Sequence, residues 1–244
     1  MNFLDLKDIS ERYMELVNPI SAEKLLRIGQ VMGLRPGQRV IDFGCGYGEM
    51  LRLWGDTYGI NGVGIDVRAA ACERARHKFA RMGWQDRFEI VQSRGEEYVY
   101  APASFDVAAC IGATFIWGDF RGTIRGMREA IRPGGSLTIG EVYWRTALIP
   151  PAYARSEQFP TEPELFAVAR QEGFEVGFVV RSSQDEWDNY EAGNWRGLLD
   201  WLAENPEHPE REEVHRHLRE SQDEYTRYGR EYVGWAIYVL RKQP

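Results

Sequence analysis

Short apolar runs alternate with longer amphipathic stretches through the middle of this 244-residue chain, and this alternation restricts the fold more than any other feature. Apolar runs of this length are typical of buried parallel strands, and the amphipathic stretches between them predict helices packed on the sheet. The sequence therefore predicts an α/β protein. Strands are predicted at Arg39–Phe43, Gly62–Asp66, Phe88–Gln92, Phe105–Ile111, Ser136–Glu141, Phe174–Arg181 and Trp235–Leu240, with helices at Glu49–Tyr58, Arg68–Met82 and Asp119–Ile131.

The first 33 residues lie outside this alternation and predict a helical cap. A short helix would carry Ile9, Tyr13 and Leu16 on one face, and the pair Asn18-Pro19 would break it. Ser21 is a good N-cap for a second helix.

Residues 183–233 form a second region outside the alternation, and their aromatic and apolar residues recur at helical spacing. Two amphipathic helices are predicted here, and two explanations account for their aromatic stripes: packing against the core, or a lid over a substrate. The chain is interpreted as one domain, 1–244, with a cap (1–33), a core (34–182), a helical insertion (183–233) and a final strand (234–244).

Composition and charge limit the partners. The net charge of −7 disfavours a nucleic acid partner, which normally requires a basic surface. No apolar run is long enough for a membrane-spanning helix, so no membrane partner is expected. Cys45, Cys72 and Cys110 have no metal-binding spacing and are interpreted as buried thiols, which predicts a cytoplasmic protein without a metal.

The first predicted strand runs into the glycine loop Gly44-x-Gly46-x-Gly48. Glycines at this point let a ligand approach the main chain at the start of the next helix. The helix begins with Glu49, whose carboxylate would repel a pyrophosphate. Together, Asp42 and Glu49 favour a ligand with cationic groups.

Asp66 ends the second predicted strand, where an acidic residue can accept hydrogen bonds from both hydroxyls of a ribose. It follows Asp42 by 24 positions, close to the usual offset of about 20 for this role. The other interpretation of Asp66 is an N-cap of the next helix, and one side chain can serve both purposes.

Four segments in order resemble the motifs of class I S-adenosylmethionine (SAM)-dependent methyltransferases: Asp42-x-Gly44-x-Gly46-x-Gly48, Gly64-Ile65-Asp66, Phe105-Asp106-Val107 and Arg132-Pro133-Gly134-Gly135. The segments Phe105–Thr114 and Gly140–Trp144 are similar to a sparsely characterised bacterial branch of the small-molecule group that includes quinone-biosynthesis methyltransferases. The resemblance implies a Rossmann-like, seven-stranded, mostly parallel sheet with the last strand antiparallel and helices on both faces.

The resemblance also implies where SAM would bind. Gly44, Cys45 and Gly46 would line its methionine part, with Asp42 at the same loop, and Asp66 would hold its ribose, with Val67 beside the adenine. The carbonyl of Ile111 would accept a hydrogen bond from the SAM ammonium group, and Gly112 and Ala113 would pass close by.

The segment Arg94-Gly95-Glu96 departs from the family pattern, because Arg94 falls where the family usually places an Asp that accepts from the adenine amino group. An arginine has no acceptor. Three alternatives remain at this position: Glu96 takes over, backbone amides read the adenine while Arg94 stacks on it, or the cofactor carries an extra acidic group.

The function implied is transfer of a methyl group to a small-molecule acceptor. Glu141 at the end of the fifth predicted strand is either a general base or a structural carboxylate bonded to loop amides. The acceptor pocket is expected to have aromatic walls formed by Tyr13, Trp117, Tyr143 and Trp144.

Two other functions compete: a nicotinamide-dependent oxidoreductase and a protein that binds SAM without methyl transfer. Glu49 argues against the first, and only Arg94 favours the second. A nucleic acid methyltransferase is disfavoured, because Ile111–Phe115 replaces the Asn/Asp-Pro-Pro-aromatic segment of base-modifying relatives. The sequence determines neither the acceptor nor the oligomeric state.

Overall fold

A computed structural model describes residues 1–243, so residue 244 of the predicted final segment lies outside it. Seven strands form one sheet in the order β3-β2-β1-β4-β5-β7-β6. The strands are β1 Arg39–Phe43, β2 Asn61–Asp66, β3 Phe88–Gln92, β4 Phe105–Ile111, β5 Ile131–Trp144, β6 Phe174–Arg181 and β7 Val233–Lys242. The helices are α1 Phe3–Ser10, α2 Ala22–Met32, α3 Glu49–Tyr58, α4 Ala69–Arg81, α5 Phe120–Met127, α6 Pro151–Glu157, α7 Glu162–Gln171, α8 Gln184–Glu204, α9 Arg211–Glu224 and α10 Arg230–Tyr232.

The predicted sheet is confirmed, including the direction of its last strand. The strands β1 to β5 pair in parallel, and β7 runs antiparallel to both of its neighbours, β5 and β6. Helices α2, α3 and α4 cover one face of the sheet, whereas α5 and α7 cover the other. This is the Rossmann-like architecture that the sequence predicted, in which ligands bind at the carboxyl ends of the parallel strands.

The first helix is shorter than predicted. α1 ends at Ser10, so Tyr13 and Leu16 do not continue a helical stripe from Ile9. The chain turns here because the Met14 amide bonds back to the Glu11 carbonyl at 2.9 Å. The guanidinium of Arg74 also donates hydrogen bonds to the carbonyls of Arg12 and Met14, at 3.1 and 2.6 Å. The second helix begins as predicted, with the Ser21 hydroxyl accepting from the Lys24 amide.

The Pro-Gly-Gly segment before the fifth strand is also placed differently from the prediction. α5 already ends at Met127, and residues 132–135 lie within β5 rather than after a longer helix. Ile131 pairs with Phe105 and Ser136 with Val107, so the residues between them bulge out of the ladder. The Asp106 carboxylate stabilises this end of the sheet by accepting from the Arg39 amide at 2.7 Å.

The helical insertion packs on the cap. Leu198 and Leu202 of α8 form an apolar cluster with Leu6 of α1, Val214 and Leu218 of α9. Much of the apolar stripe predicted in residues 183–233 is therefore explained by packing. Among residues 1–243, the helices are all too short or too polar to span a bilayer.

Candidate functional site

A cavity of about 460 Å³ opens at the carboxyl ends of β1 to β4, between the sheet and the helices α1 and α8. We call it the crevice. It is the edge of the sheet at which parallel α/β folds bind their ligands. Eight of the predicted cofactor residues line it: Gly44, Asp66, Val67, Arg94, Gly95, Glu96, Ile111 and Gly112.

Asp66 is 7% exposed at the end of β2, and the backbone holds its carboxylate in place. One oxygen accepts from the Gly46 amide at 2.8 Å, and the other accepts from the Arg68 amide at 2.9 Å. A carboxylate has about four acceptor positions, so capacity remains for two ligand hydroxyls. The alternative interpretation of Asp66 as the N-cap of α4 is wrong, because the N-cap is Arg68 and the Asp66 carboxylate accepts from the amide of that residue, not from the first turn of the helix.

Asp42 and Cys45 do not line the crevice but a smaller cavity of about 30 Å³ beside it. The Asp42 side chain is 3% exposed. Burial and the neighbouring Asp66 carboxylate raise its pKa well above the usual range, and no hydrogen bond or cation in the described chain opposes them. Burial likewise raises the pKa of the Cys45 thiol, which excludes a thiolate at neutral pH. All three cysteines are free and buried, as predicted.

The glycine loop approaches the neighbouring strands too closely for side chains. Gly44 has φ +75°, and a Cβ added there would lie 2.5 Å from the Cβ of Ala113. The amides of Gly44 and Cys45 both bond to the Ile65 carbonyl, at 2.8 and 2.9 Å. Gly46 touches neither cavity directly, but its amide anchors Asp66. The loop is thus built around the end of β2.

Glu49 has cationic partners within the protein. Arg52 and Lys78 bond to its two oxygens at 2.8 and 2.6 Å. Its charge is therefore already balanced, which leaves Asp42 as the buried carboxylate of the loop without a cation.

Arg94 and Glu96 line the crevice as an ion pair. The Arg94 Nε donates to a Glu96 oxygen at 2.8 Å, and the Arg94 side chain is 62% exposed. The pKa of Glu96 is lowered by its own backbone amide and by Arg94, so its carboxylate stays ionised. Both residues line the crevice together with Val67 and Gly95, so Arg94 and Glu96 are both available to contact an adenine there.

The carbonyl of Ile111 already has a partner. The side-chain amide of Asn18 donates to it at 3.1 Å, across the end of β4. A carbonyl oxygen can accept two hydrogen bonds, so a ligand ammonium can still use it. Asn18 had been interpreted only as a helix break, and its residue type gave no further signal.

Another part of the crevice lining comes from α1 and from the turn that follows β4. Phe3 and Phe115 line it with exposures of 59% and 66%, next to Leu4. Lys7 also lines it and bonds to the Tyr190 hydroxyl at 3.3 Å. Burial would lower the pKa of Lys7, but Tyr190 and Glu11 outweigh it and raise the pKa. The sequence argument missed these residues, since the contact between α1 and α8 is tertiary.

The structure places the four predicted wall aromatics away from the crevice. Tyr13 lies outside between the guanidinium groups of Arg12 and Arg196, 4.9 and 4.8 Å from its ring centroid. Trp117 packs edge-on against Phe43 in the core under α5. The two residues that end β5 are buried against β7 and α6: Tyr143 and Trp144.

Glu141 is half-buried near the end of β5 and does not itself line the crevice, although its neighbour Gly140 pairs with Ile111, which does. Burial raises its pKa, although bonds from the Thr114 hydroxyl and the Val142 amide oppose this effect. The hydrogen bond from the Val142 amide to the Glu141 carboxylate measures 2.9 Å. Such contacts are those of the structural carboxylate considered above, whereas the raised pKa would suit a proton acceptor.

The arrangement fits the groups of SAM. Asp66 offers free acceptor positions at the edge where a ribose would bind, and Asp42 is a buried carboxylate without a counter-charge, as an ammonium site requires. The residues present are therefore compatible with this cofactor at both ends of its expected position.

Comparison with known proteins shows similarity to methyltransferases. Residues 40–135 match a family model described as a methyltransferase domain. The chain is similar to a crystal structure of a SAM-dependent methyltransferase from Thiobacillus denitrificans in complex with S-adenosyl-L-homocysteine, with 34% identity, full coverage of both chains and a TM-score of 0.92.

Two relatives that are similar in sequence extend this result. The Escherichia coli (strain K12) protein YjhP is 34% identical over 95% of this chain and 96% of its own. The 27-O-demethylrifamycin SV methyltransferase of Amycolatopsis mediterranei is 30% identical over 47% of this chain and 42% of its own. With the fold, the crevice and these likenesses together, the chain belongs to the class I SAM-dependent methyltransferase family.

Proposed function

We propose that this enzyme transfers the methyl group of SAM to a small-molecule acceptor bound in the apolar part of the crevice. The observation that carries the proposal is the lining of the cavity of about 460 Å³, which combines the Asp66 carboxylate at the strand ends with the apolar side chains of Phe3, Leu4 and Phe115. Sites for small molecules typically measure about 300–1,000 Å³ and combine apolar walls with a few polar groups. Residues of α1 and α8 line the cavity on the side away from the sheet, which favours a small molecule over a nucleic acid duplex as acceptor.

The crevice and the smaller cavity beside it would bind different parts of the cofactor. Asp66 would bind the ribose hydroxyls, and Asp42 with the Ile111 carbonyl would hold the ammonium group. When bound, SAM supplies a methyl group already activated by its sulfonium. The protein then has to align an acceptor atom and exclude water, and orientation of this kind can contribute roughly 7–11 kcal/mol in favourable cases.

Glu141 remains our candidate for the group that accepts a proton from the acceptor. Its raised pKa and its position next to Gly140, which pairs with the crevice residue Ile111, support this role. Its hydrogen bonds from the Val142 amide and the Thr114 hydroxyl would hold the carboxylate in place. The role is needed only if the acceptor is protonated at neutral pH.

The relative from Amycolatopsis supports a small-molecule acceptor, since its name describes methylation of a rifamycin. The three free, buried thiols fit a reducing compartment, and we propose the cytoplasm.

The proposal is tested with SAM labelled in its methyl group. The protein is incubated separately with a small-molecule cell extract, with cellular RNA and DNA, and with cellular protein. We expect label in the small-molecule fraction, loss of transfer in Asp66→Ala, and a fall of about 10²–10⁴-fold in Glu141→Gln if that residue is the base. An unchanged rate in Glu141→Gln would refute its role as base.

Three results would contradict the proposed function. Label in nucleic acid or protein would identify a different acceptor class. Tight SAM binding by calorimetry with no transfer to any fraction would favour the non-catalytic alternative. Binding of NADH without binding of SAM would favour an oxidoreductase.

A further inference from the structure

The segment between α1 and α2 lies across the carboxyl ends of β1 and β4. We call residues 13–20 the strap. Arg74 holds its beginning through the Met14 carbonyl at 2.6 Å, and the Ser182 hydroxyl donates to the Pro19 carbonyl near its end. The Ile20 amide also bonds to the Asn18 carbonyl at 2.8 Å. The strap is therefore tied to α4 before Asn18 and to the residue that follows β6 after it.

The side chain of Asn18 points into the site rather than away from it. Its Nδ2 donates to the Ile111 carbonyl at 3.1 Å. A Cβ added to Gly112, which has φ +80°, would lie 2.1 Å from the Asn18 Oδ1. The amide thus fills the space above Gly112 that any larger residue would occupy.

Asn18 also lies at the boundary between the two cavities. Together with Val17, it lines both the crevice, which contains Asp66, and the smaller cavity, which contains Asp42. A cofactor with its ribose on Asp66 and its ammonium near Asp42 has to pass this point. The Asn18 amide is therefore beside the amino-acid end of the cofactor and remote from the adenine end at Arg94.

We propose that Asn18 is a cofactor-binding residue specific for the amino-acid end of SAM, an inference that rests on the proposed function. The bond from Nδ2 to Ile111 orients the amide, and Oδ1 then accepts from the cofactor ammonium beside Asp42 and the Ile111 carbonyl. A neutral acceptor at this place adds a hydrogen bond without adding a third negative charge to Asp42 and Asp66. The strap thereby connects cofactor binding to the helical cap.

The test compares two ligands that differ only at the amino-acid end. S-Adenosylhomocysteine carries the amino-acid group, whereas 5′-methylthioadenosine lacks it. For Asn18→Ala, we expect the affinity for S-adenosylhomocysteine to fall about tenfold, the lower range for a lost hydrogen bond to a charged group. The affinity for 5′-methylthioadenosine should change less than about twofold, which also shows that the variant is folded. Asn189→Ala, an exposed asparagine on α8, is the matched control.

Calorimetry with both ligands separates the outcomes. If Asn18→Ala binds S-adenosylhomocysteine as tightly as the parent protein, or more tightly, the side chain only fills the space above Gly112 and the inference is wrong. Equal weakening of both ligands would place its effect outside the amino-acid end and would also overturn it. If the unmodified protein itself does not bind S-adenosylhomocysteine, the proposed function fails before the role of Asn18 is reached.

Discussion

The crevice and the smaller cavity beside it hold buried carboxylates in opposite ways. Asp66 accepts from two backbone amides, those of Gly46 and Arg68, before any ligand arrives. Asp42 lies on the adjacent strand and is as deeply buried, but in residues 1–243 burial and the Asp66 charge act on it without an opposing donor or cation. One carboxylate is satisfied by the fold, and the other is not.

This difference indicates what each carboxylate can bind. A satisfied carboxylate is fixed in direction, which suits neutral hydroxyl groups that need only an acceptor. A buried carboxylate without donors has a raised pKa, because its ionised form is unfavourable there. A cationic ligand stabilises that ionised form. The adenosine end therefore depends on geometry, whereas the methionine end depends on charge. Three substitutions separate these two dependences.

The largest effect is expected for Asp66→Ala, because this change removes a ligand contact and leaves the Gly46 and Arg68 amides without their acceptor. We expect no binding of S-adenosylhomocysteine at micromolar concentrations, together with a fall of about 1–3 kcal/mol in the free energy of unfolding. Calorimetry and denaturant titration measure the two quantities. Asp56→Ala, at an exposed position of α3, is the control. Unchanged affinity would refute the ribose assignment.

Asp42→Asn should weaken the ligand but strengthen the empty protein. We expect the affinity for S-adenosylhomocysteine to fall about 10- to 100-fold, since a neutral amide replaces the counter-charge of the ammonium. Because the native pKa of Asp42 is raised, the folded protein retains a proton that the unfolded chain has released. Asp42 thus lowers stability as pH rises from its unfolded to its folded pKa. The variant should melt at a higher temperature than the parent at neutral pH.

The same shift predicts a pH dependence of binding. The ammonium requires the ionised carboxylate, so the affinity for S-adenosylhomocysteine should rise with pH through the raised pKa of Asp42 and then level off. In Asp42→Asn this rise should be absent. A parent and a variant with parallel pH profiles would show that Asp42 does not titrate on binding.

Arg94→Ala should have the smallest effect. The side chain is mostly exposed and pairs with Glu96, and exposed ion pairs contribute about 0–1 kcal/mol. We expect the affinity for S-adenosylhomocysteine to change less than about fivefold. A much larger loss, also seen with adenosine alone as ligand, would instead favour stacking of Arg94 on the adenine.

Much of the fold could be predicted because its signals are local. The apolar runs of β1, β3 and β4 are bounded by glycines, prolines and charged residues, and the structure gives them the predicted limits. The errors were at positions where a distant contact decides. α1 ends early because Arg74 of α4 binds the turn after it, and residues 132–135 bulge because Ser136 pairs with Val107.

By itself, the sequence determined the parallel sheet, the glycine loop and the carboxylates Asp42 and Asp66, because periodicity and the glycine requirement of a tight turn act within a few residues. Only the tertiary structure decided which of those carboxylates has donors and which does not. It also decided the hydrogen bond from Asn18 to the Ile111 carbonyl, 93 positions away in the chain, and the one from Lys7 to the Tyr190 hydroxyl, 183 positions away. Such contacts depend on how the cap packs on the sheet, and no local pattern encodes that packing.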